Sequence, residues 1–419
     1  MHDLTRRSWL RNSFAALGAA TLLTRHGHVR AAPNTTPRRL VLVFNSGGWD
    51  STYALDPKPG IAGIDAPAGK VETLGGLDVL TDPSRPNIGK FFSATAGSCA
   101  IVRGLQISSV AHPDASHRVL TGVSADTAPD VAAIASAVHG ADRAAPYLIL
   151  GRTAYSGPYG SLAARTGSVN QIVTLLDPNI ALPPIGGPLL PHVPTDAEEA
   201  LVRAHVLARA ERELTASGGN RRVDDFIASL NRGDLLREIG IVGELELARS
   251  FPAQIDLAVE ALARGLCHSV QIETGDWDTH TGNAQQGPLH NDFFAGLTQL
   301  IAALATRPGS TQGSKLLDET AVVVVSELGR TPRLNSAQGK DHWPVTSALL
   351  IGGGVAGGRI IGATTDSLDG AKIDLSTGKP DPNGKPLLYS NFAAGLLELA
   401  GVDPGEHIPG VEALHALSA

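Results

Sequence analysis

Short stretches that are apolar at every position recur along this chain: "RRLVLVFN" (38–45), "PYLILG" near 150, "QIVTLL" near 175, "HSVQIE" near 270, "AVVVVS" (321–326) and "TSALLIGGG" near 350. A strand with no polar alternation has to be covered on both faces, which is the situation of strands in a mostly parallel sheet. Helical patterns lie between them. In 195–216, Thr195 stands three residues before Glu198, a capping-box spacing. Phe294, Leu297, Ile301 and Leu304 share one helix face, and a last helix over 390–401 closes at Gly401. Strands and helices in alternation predict an α/β fold, a three-layer α/β/α sandwich around a mostly parallel central sheet.

With 419 residues and 42% hydrophobic content, the chain can bury one large core or two moderate ones. The helix-rich stretch at about 185–250 reads as an insertion, preceded by the Pro/Gly-rich loop 182–196. "STGKPDPNGKP" (376–386) reads as a surface hairpin, and "GGGVAGG" (352–358) as a tight turn between strands. It lacks the GxxxxGK[ST] pattern, so no nucleotide loop follows. Cys99 and Cys267 sit in apolar surroundings and are expected as two buried thiols. A formal net charge of −7 excludes a nucleic-acid footprint.

The first residues have a different logic. Arg6 and Arg7 precede a weakly apolar run from Phe14 to Leu23, too short to span a bilayer. A twin-arginine pair before such a run is the pattern of a Tat export signal, here residues 1–31 with small residues at the cleavage point. Residues 32–419 are then expected as one exported domain, periplasmic or extracellular, with no membrane span once the signal is removed.

Polar residues that directly follow the apolar runs are the candidates for chemistry, because ligands of open α/β sheets collect beyond the strand ends. Asp50 follows the first run. Asp276, Asp278 and His280 follow "HSVQIE" in "GDWDTH". Glu327 follows "AVVVVS", and Asp341 and His342 stand just ahead of "TSALLIG". Carboxylates crowded at one rim repel unless a cation neutralises them, and divalent ions take carboxylate oxygen and imidazole nitrogen. All seven are therefore candidate metal ligands.

"SGGWDSTYALDPKPG", "GDWDTH", "SELGRTPR", "GKDHWP" and "LLIGGGVAGGRIIGAT" together resemble a secreted bacterial family, domain of unknown function 1501. The likeness runs from about residue 38 to the C-terminus. That family is grouped with the alkaline-phosphatase-like superfamily of phosphatases, sulfatases and phosphoglycerate mutases. The resemblance implies an alkaline-phosphatase-like fold with one or two divalent metals at the strand ends. Asp278, His280 and His342 match the first metal site, for which zinc is the leading choice, although Asp276 stands four residues before His280 and competes for the Asp position. Asp50 and Glu327 match a second site, where Leu328 replaces the usual histidine and calcium or magnesium fits the remaining oxygens better.

The resemblance also locates a nucleophile position, about nine residues before a Thr-Gly pair. Counting back from Thr121–Gly122 lands on His112, which is open as covalent nucleophile, metal ligand or general acid/base. Ser116, one turn further on, is a second candidate. Arg103, Arg118 and Arg330 are candidates to receive an anionic oxygen, with Arg330 beside Glu327 the best placed. The expectation is a metal-dependent hydrolase acting on phosphate or sulfate esters, with an anionic ester or polysaccharide as substrate. The alternative is an exported, non-catalytic metal-binding factor that binds a polysaccharide or assembles with a co-exported partner.

Overall fold

In the computed structural model, residues 37–166, 196–239 and 250–419 are described. The expected export signal, the strand near 175, Thr195 and most of the loop 182–196 lie outside them. Eight strands form the main sheet: Arg39–Asn45 (β1), Cys99–Gln106 (β2), Tyr147–Ile149 (β3), Ala163–Arg165 (β4), Ser269–Thr274 (β5), Thr320–Val325 (β6), Val345–Gly352 (β7) and Arg359–Ile361 (β8). Their spatial order is β8-β2-β7-β6-β1-β5-β3-β4. Only β7 runs against the rest, antiparallel to both β2 and β6; the other neighbouring pairs are parallel.

The apolar runs do what their composition demands. On β1, Val41 and Val43 face one core while Leu40, Leu42 and Phe44 face the other. On β6, Val322 and Val324 point one way, and Ala321, Val323 and Val325 the other. The first core is covered by helices Pro86–Thr95 (α1), Phe251–Ala263 and Gln286–Thr306, through Phe92, Ile255 and Phe294 among others. The second is covered by His112–Thr121 (α2), Val131–His139 and Tyr389–Leu399, through Val119, Ile134 and Phe392. The three-layer α/β/α sandwich is therefore observed. Two further helices, Asp196–Ser217 and Arg221–Ile239, occupy the helix-rich stretch.

Smaller expectations can be placed as well. The turn 352–358 connects β7 to β8, and the 376–386 excursion is flanked by a two-residue antiparallel pairing of Lys372–Ile373 with Lys385–Pro386. Cys99 and Cys267 are free and buried, and burial pushes both thiols up to about 12. Among the described residues, no helix is long and apolar enough to cross a membrane.

The direction of β7 positions the site. Strands β1, β5 and β6 deliver their C-terminal ends to one rim, and an antiparallel strand between β6 and β2 begins at that same rim. The segment before β7 then folds back on the segment after β6: His342–Trp343 pairs with Gly329–Arg330. Beneath the rim, Trp49 meets Trp277 edge to face with ring centroids 6.3 Å apart. Trp49 donates its indole N–H to Thr346 Oγ1 (3.0 Å) and Trp277 donates to Thr274 Oγ1 (2.8 Å), so both loops are pinned to strands.

Candidate metal centre

Asp278 is the hub. Its Oδ1 lies 3.2 Å from His280 Nε2, 3.2 Å from His342 Nε2 and 2.7 Å from the Arg330 guanidinium. The two imidazole nitrogens are themselves 2.9 Å apart. On the other side, Asp278 Oδ2 stands 3.4 Å from His112 Nε2, and ligand atoms of His112, Asp278 and His342 all lie within 4.8 Å of one another. Burial works against the Asp278 anion, but the hydrogen bond from Arg330 and the charges of Arg330 and His112 outweigh it, holding the carboxyl at about 2.

Each imidazole is oriented from behind. His342 Nδ1 faces the Val110 carbonyl at 2.7 Å; a carbonyl only accepts, so the proton sits on Nδ1 and the Nε2 lone pair points inward. His280 Nδ1 donates to Asp341 Oδ1 at 2.9 Å, and Asn335 adds a second donor to that carboxylate at 3.3 Å. The hydrogen bond from His280, then that from Asn335, lower the Asp341 carboxyl. Asp341 therefore stands behind His280 as an orienting carboxylate, the usual support of a metal-binding imidazole. His112 opens α2, and its Nδ1 donates to Glu327 Oε1 at 2.8 Å. That bond raises the His112 pKa, burial opposes it, and the charges of Glu327 and Asp278 add to the rise. Nε2 of His112 is buried and has no hydrogen-bond partner among the described residues.

This donor set fits a divalent ion. Two inward lone pairs at 2.9 Å repel unless a positive charge lies between them. The Asp278–His280–His342 triangle, with edges of 2.9, 3.2 and 3.2 Å, is close to the face of a tetrahedron. For metal–ligand bonds of about 2.0–2.1 Å such a face has edges of about 3.3–3.4 Å.

Other expected residues fall elsewhere. Arg330 is fully buried, and its donors go to the carbonyls of Gly47, Gly48, Trp277 and Lys340 besides Asp278. It braces the rim loops, and with its side chain wholly buried it does not face an ester oxygen in the cleft, contrary to the role expected of it. Arg103 binds the Leu55 and Asp78 carbonyls, and Arg118 pairs with Asp114 under the ring of Tyr389; neither reaches the cluster. Ser116 is buried on α2 and does not line the cleft. Asp276 is exposed on the cleft wall with φ +69°, and its side chain makes no hydrogen bond or ion pair among the described residues.

Asp50 is turned away from the cluster. It is buried with Lys340, whose Nζ is 2.8 Å from Oδ2. The ammonium meets no regular hydrogen-bond geometry there, so the contact is an ion pair held by charge. Burial opposes ionisation of Asp50; the Lys340 charge, with hydrogen bonds from Thr52 and Asn283, prevails and lowers its pKa. Neither Lys340 nor Asn283 stands out in the sequence, where a lysine beside Asp341 has the look of surface charge.

The cluster opens onto a cleft of about 1000 Å³, with His112 and Asp278 on one wall and Arg152, Thr153 and Glu273 on another. Glu273 is fixed by the backbone N–H groups of Arg152 and Thr153, both at 2.7 Å. Arg152 is exposed, and its guanidinium has no partner among the described residues.

The fold and site define a three-layer α/β protein with a metal-compatible His/Asp centre at the sheet rim. Residues 242–413 match the model of the family described as "Protein of unknown function (DUF1501)", so the likeness read from the motifs holds over the part containing Asp278, His280, Glu327, Arg330, Asp341 and His342. A comparison with curated proteins gives no match. Among solved structures, Ps i-CgsB in complex with k-i-k-neocarrahexaose is similar with a TM-score of 0.44 at 10% identity, over 90% of this chain and 75% of that one. A protein in the alkaline phosphatase superfamily from Vibrio parahaemolyticus gives 0.37 at 10% identity, over 88% and 67%. A protein solved with its substrate, D-glucosamine-2-N,6-O-disulfate, gives 0.36 at 10% identity, over 91% and 80%.

Gly47 couples the rim loops, since its φ is +121° and a Cβ there would lie 2.6 Å from the Asp278 backbone nitrogen. Gly47→Ala is expected to cost about 1–3 kcal/mol of unfolding free energy in denaturant titration. An unchanged midpoint would show that the two loops are not tied.

Proposed function

We propose that the protein is a metal-dependent hydrolase of phosphate or sulfate esters, built on one divalent ion held by Asp278, His280 and His342. The 2.9 Å approach of the two inward-facing Nε2 atoms, with Asp278 Oδ1 3.2 Å from each, carries this reading, because a divalent ion between them satisfies all three donors at once. Zinc suits two imidazoles and a carboxylate better than calcium or magnesium does. Such an ion supplies Lewis-acid polarisation of the ester oxygen.

The chain's own groups do the rest. Asp341 and the Val110 carbonyl fix the tautomers of His280 and His342, and Arg330 fixes Asp278. His112 is the proton-transfer or covalent group: Glu327 holds Nδ1, which aims Nε2 at the cluster beside the cleft. The free guanidinium of Arg152 on the facing wall suits an anionic substrate. A non-catalytic, glycan-binding role has one specific observation in its favour: a histidine, and no hydroxyl or thiol, faces the cluster at the start of α2.

Elemental analysis of purified protein is expected to find a divalent ion that His342→Ala removes. Hydrolysis of aryl phosphate or aryl sulfate should fall about 10²–10⁴-fold in His112→Ala while the metal stays bound. Metal-free protein, or turnover untouched by His112→Ala, contradicts the respective half of the proposal. Glycan binding without turnover favours the non-catalytic role.

Export through the Tat pathway belongs to the same proposal, supported by Arg6 and Arg7 ahead of the short apolar run. Replacing both arginines by lysine should keep the protein in the cytoplasm in cell fractionation. Unaltered export would show that this signal is not used.

A further inference from the structure

The likeness to metallohydrolases implies a second cation at Asp50 and Glu327, and the residues present do not fit one. The two carboxylate oxygens of Asp50 are fully engaged. Oδ1 accepts from the Thr52 backbone N–H at 3.1 Å and the Thr52 hydroxyl at 2.6 Å. Oδ2 accepts from Asn283 Nδ2 at 2.9 Å and meets Lys340 Nζ at 2.8 Å. These four contacts use the lone-pair directions a carboxylate offers.

Glu327 is committed through Oε1, which receives His112 Nδ1 and the Gly47 N–H, both at 2.8 Å; Oε2 stands 3.1 Å from Ser326 Oγ, whose proton goes to the Asn45 carbonyl at 2.6 Å. The ligand atoms that gather within 4.8 Å of one another belong to His112, Asp278 and His342 and include neither acid.

We infer that Lys340 takes the place of the second metal, so that the centre binds a single divalent ion and the charge of Asp50 is neutralised by the chain itself. Side chains of both partners are shut off from water, with 0% exposure for Lys340 and 1% for Asp50. A buried anion needs a buried counter-charge, and here it is supplied covalently. The lysine cannot easily withdraw. Its backbone N–H donates to the Thr279 carbonyl at 3.1 Å, and its carbonyl accepts from Arg330 at 3.0 Å. A divalent ion entering beside Asp50 would meet that fixed ammonium at contact distance, with like charges in a medium that screens poorly.

The arrangement also joins the two halves of the site. Lys340 lies in the segment that carries Asp341 and His342, while Asp50 caps the turn after β1. The ion pair thus clamps the His342 segment to the start of the fold, a task a second metal would otherwise perform.

The inference rests on the one-metal reading above, and metal counting separates the two. Full-length protein would be titrated with zinc, calcium and magnesium in turn and the bound ions counted by native mass spectrometry, for the wild type, Asp50→Asn, Lys340→Met and the double variant. One ion per chain in the wild type, retained in Asp50→Asn, is expected. Lys340→Met should lower the thermal midpoint by about 5 °C, because it strands a buried carboxylate. Adding Asp50→Asn should recover most of that loss. Two ions per chain, the second lost in Asp50→Asn, would overturn the inference and leave the one at His342 standing. A double variant no more stable than Lys340→Met would overturn the ion pair. No bound ion in any form would defeat the metal reading, and this inference with it.

Discussion

Two imidazole lone pairs and a carboxylate oxygen meet at about hydrogen-bond distance at the rim of the sheet, and that crowding is the constraint to which the surrounding structure is fitted. His280, His342 and Asp278 are drawn together from two loops, and each is held by a second group: Asp341, the Val110 carbonyl and Arg330. Such backing makes sense when ligands must be presented in fixed directions before the ion arrives. Without it, the three groups would relieve their repulsion by rotating into water. The same economy explains why Arg330 is spent on four carbonyls and Asp278 and not on a substrate.

The sheet makes the convergence possible. Parallel strands β1, β5 and β6 end at one edge, and the reversal of β7 brings the start of a fourth segment to that edge. His342 reaches the cluster for that reason, although 62 residues separate it from His280. Charge is then divided in two. On one side, carboxylate and imidazoles wait for an ion; on the other, Asp50 is already neutralised by Lys340.

Much of this was legible in the sequence because burial on both faces leaves a simple trace. The runs at 38–45, 321–326 and near 350 read as central strands and are β1, β6 and β7. Strand β2 leaves a weaker trace, since Arg103 and Gly104 interrupt its apolar run; Arg103 lies folded against the Leu55 and Asp78 carbonyls, a long-range pairing that no local pattern reveals. At the site, the polar residues that border apolar runs include Asp278, His280, Glu327 and His342, which the fold gathers around His112. The same rule included Asp50 and Asp276 without distinguishing them, because a carboxylate that is capped by Lys340 and one that points to solvent look alike in sequence. Lys340 itself was invisible: a buried lysine is rare, and only its distance to Asp50 marks it.

The central claim is that an ion belongs inside the triangle of Asp278, His280 and His342. Anomalous diffraction from crystals grown with zinc tests it most directly. The account predicts one strong peak, about 2.0–2.2 Å from Asp278 Oδ1 and from the Nε2 atoms of His280 and His342. A triangle closed by hydrogen bonds alone, with the anomalous signal absent or seated elsewhere, would contradict it.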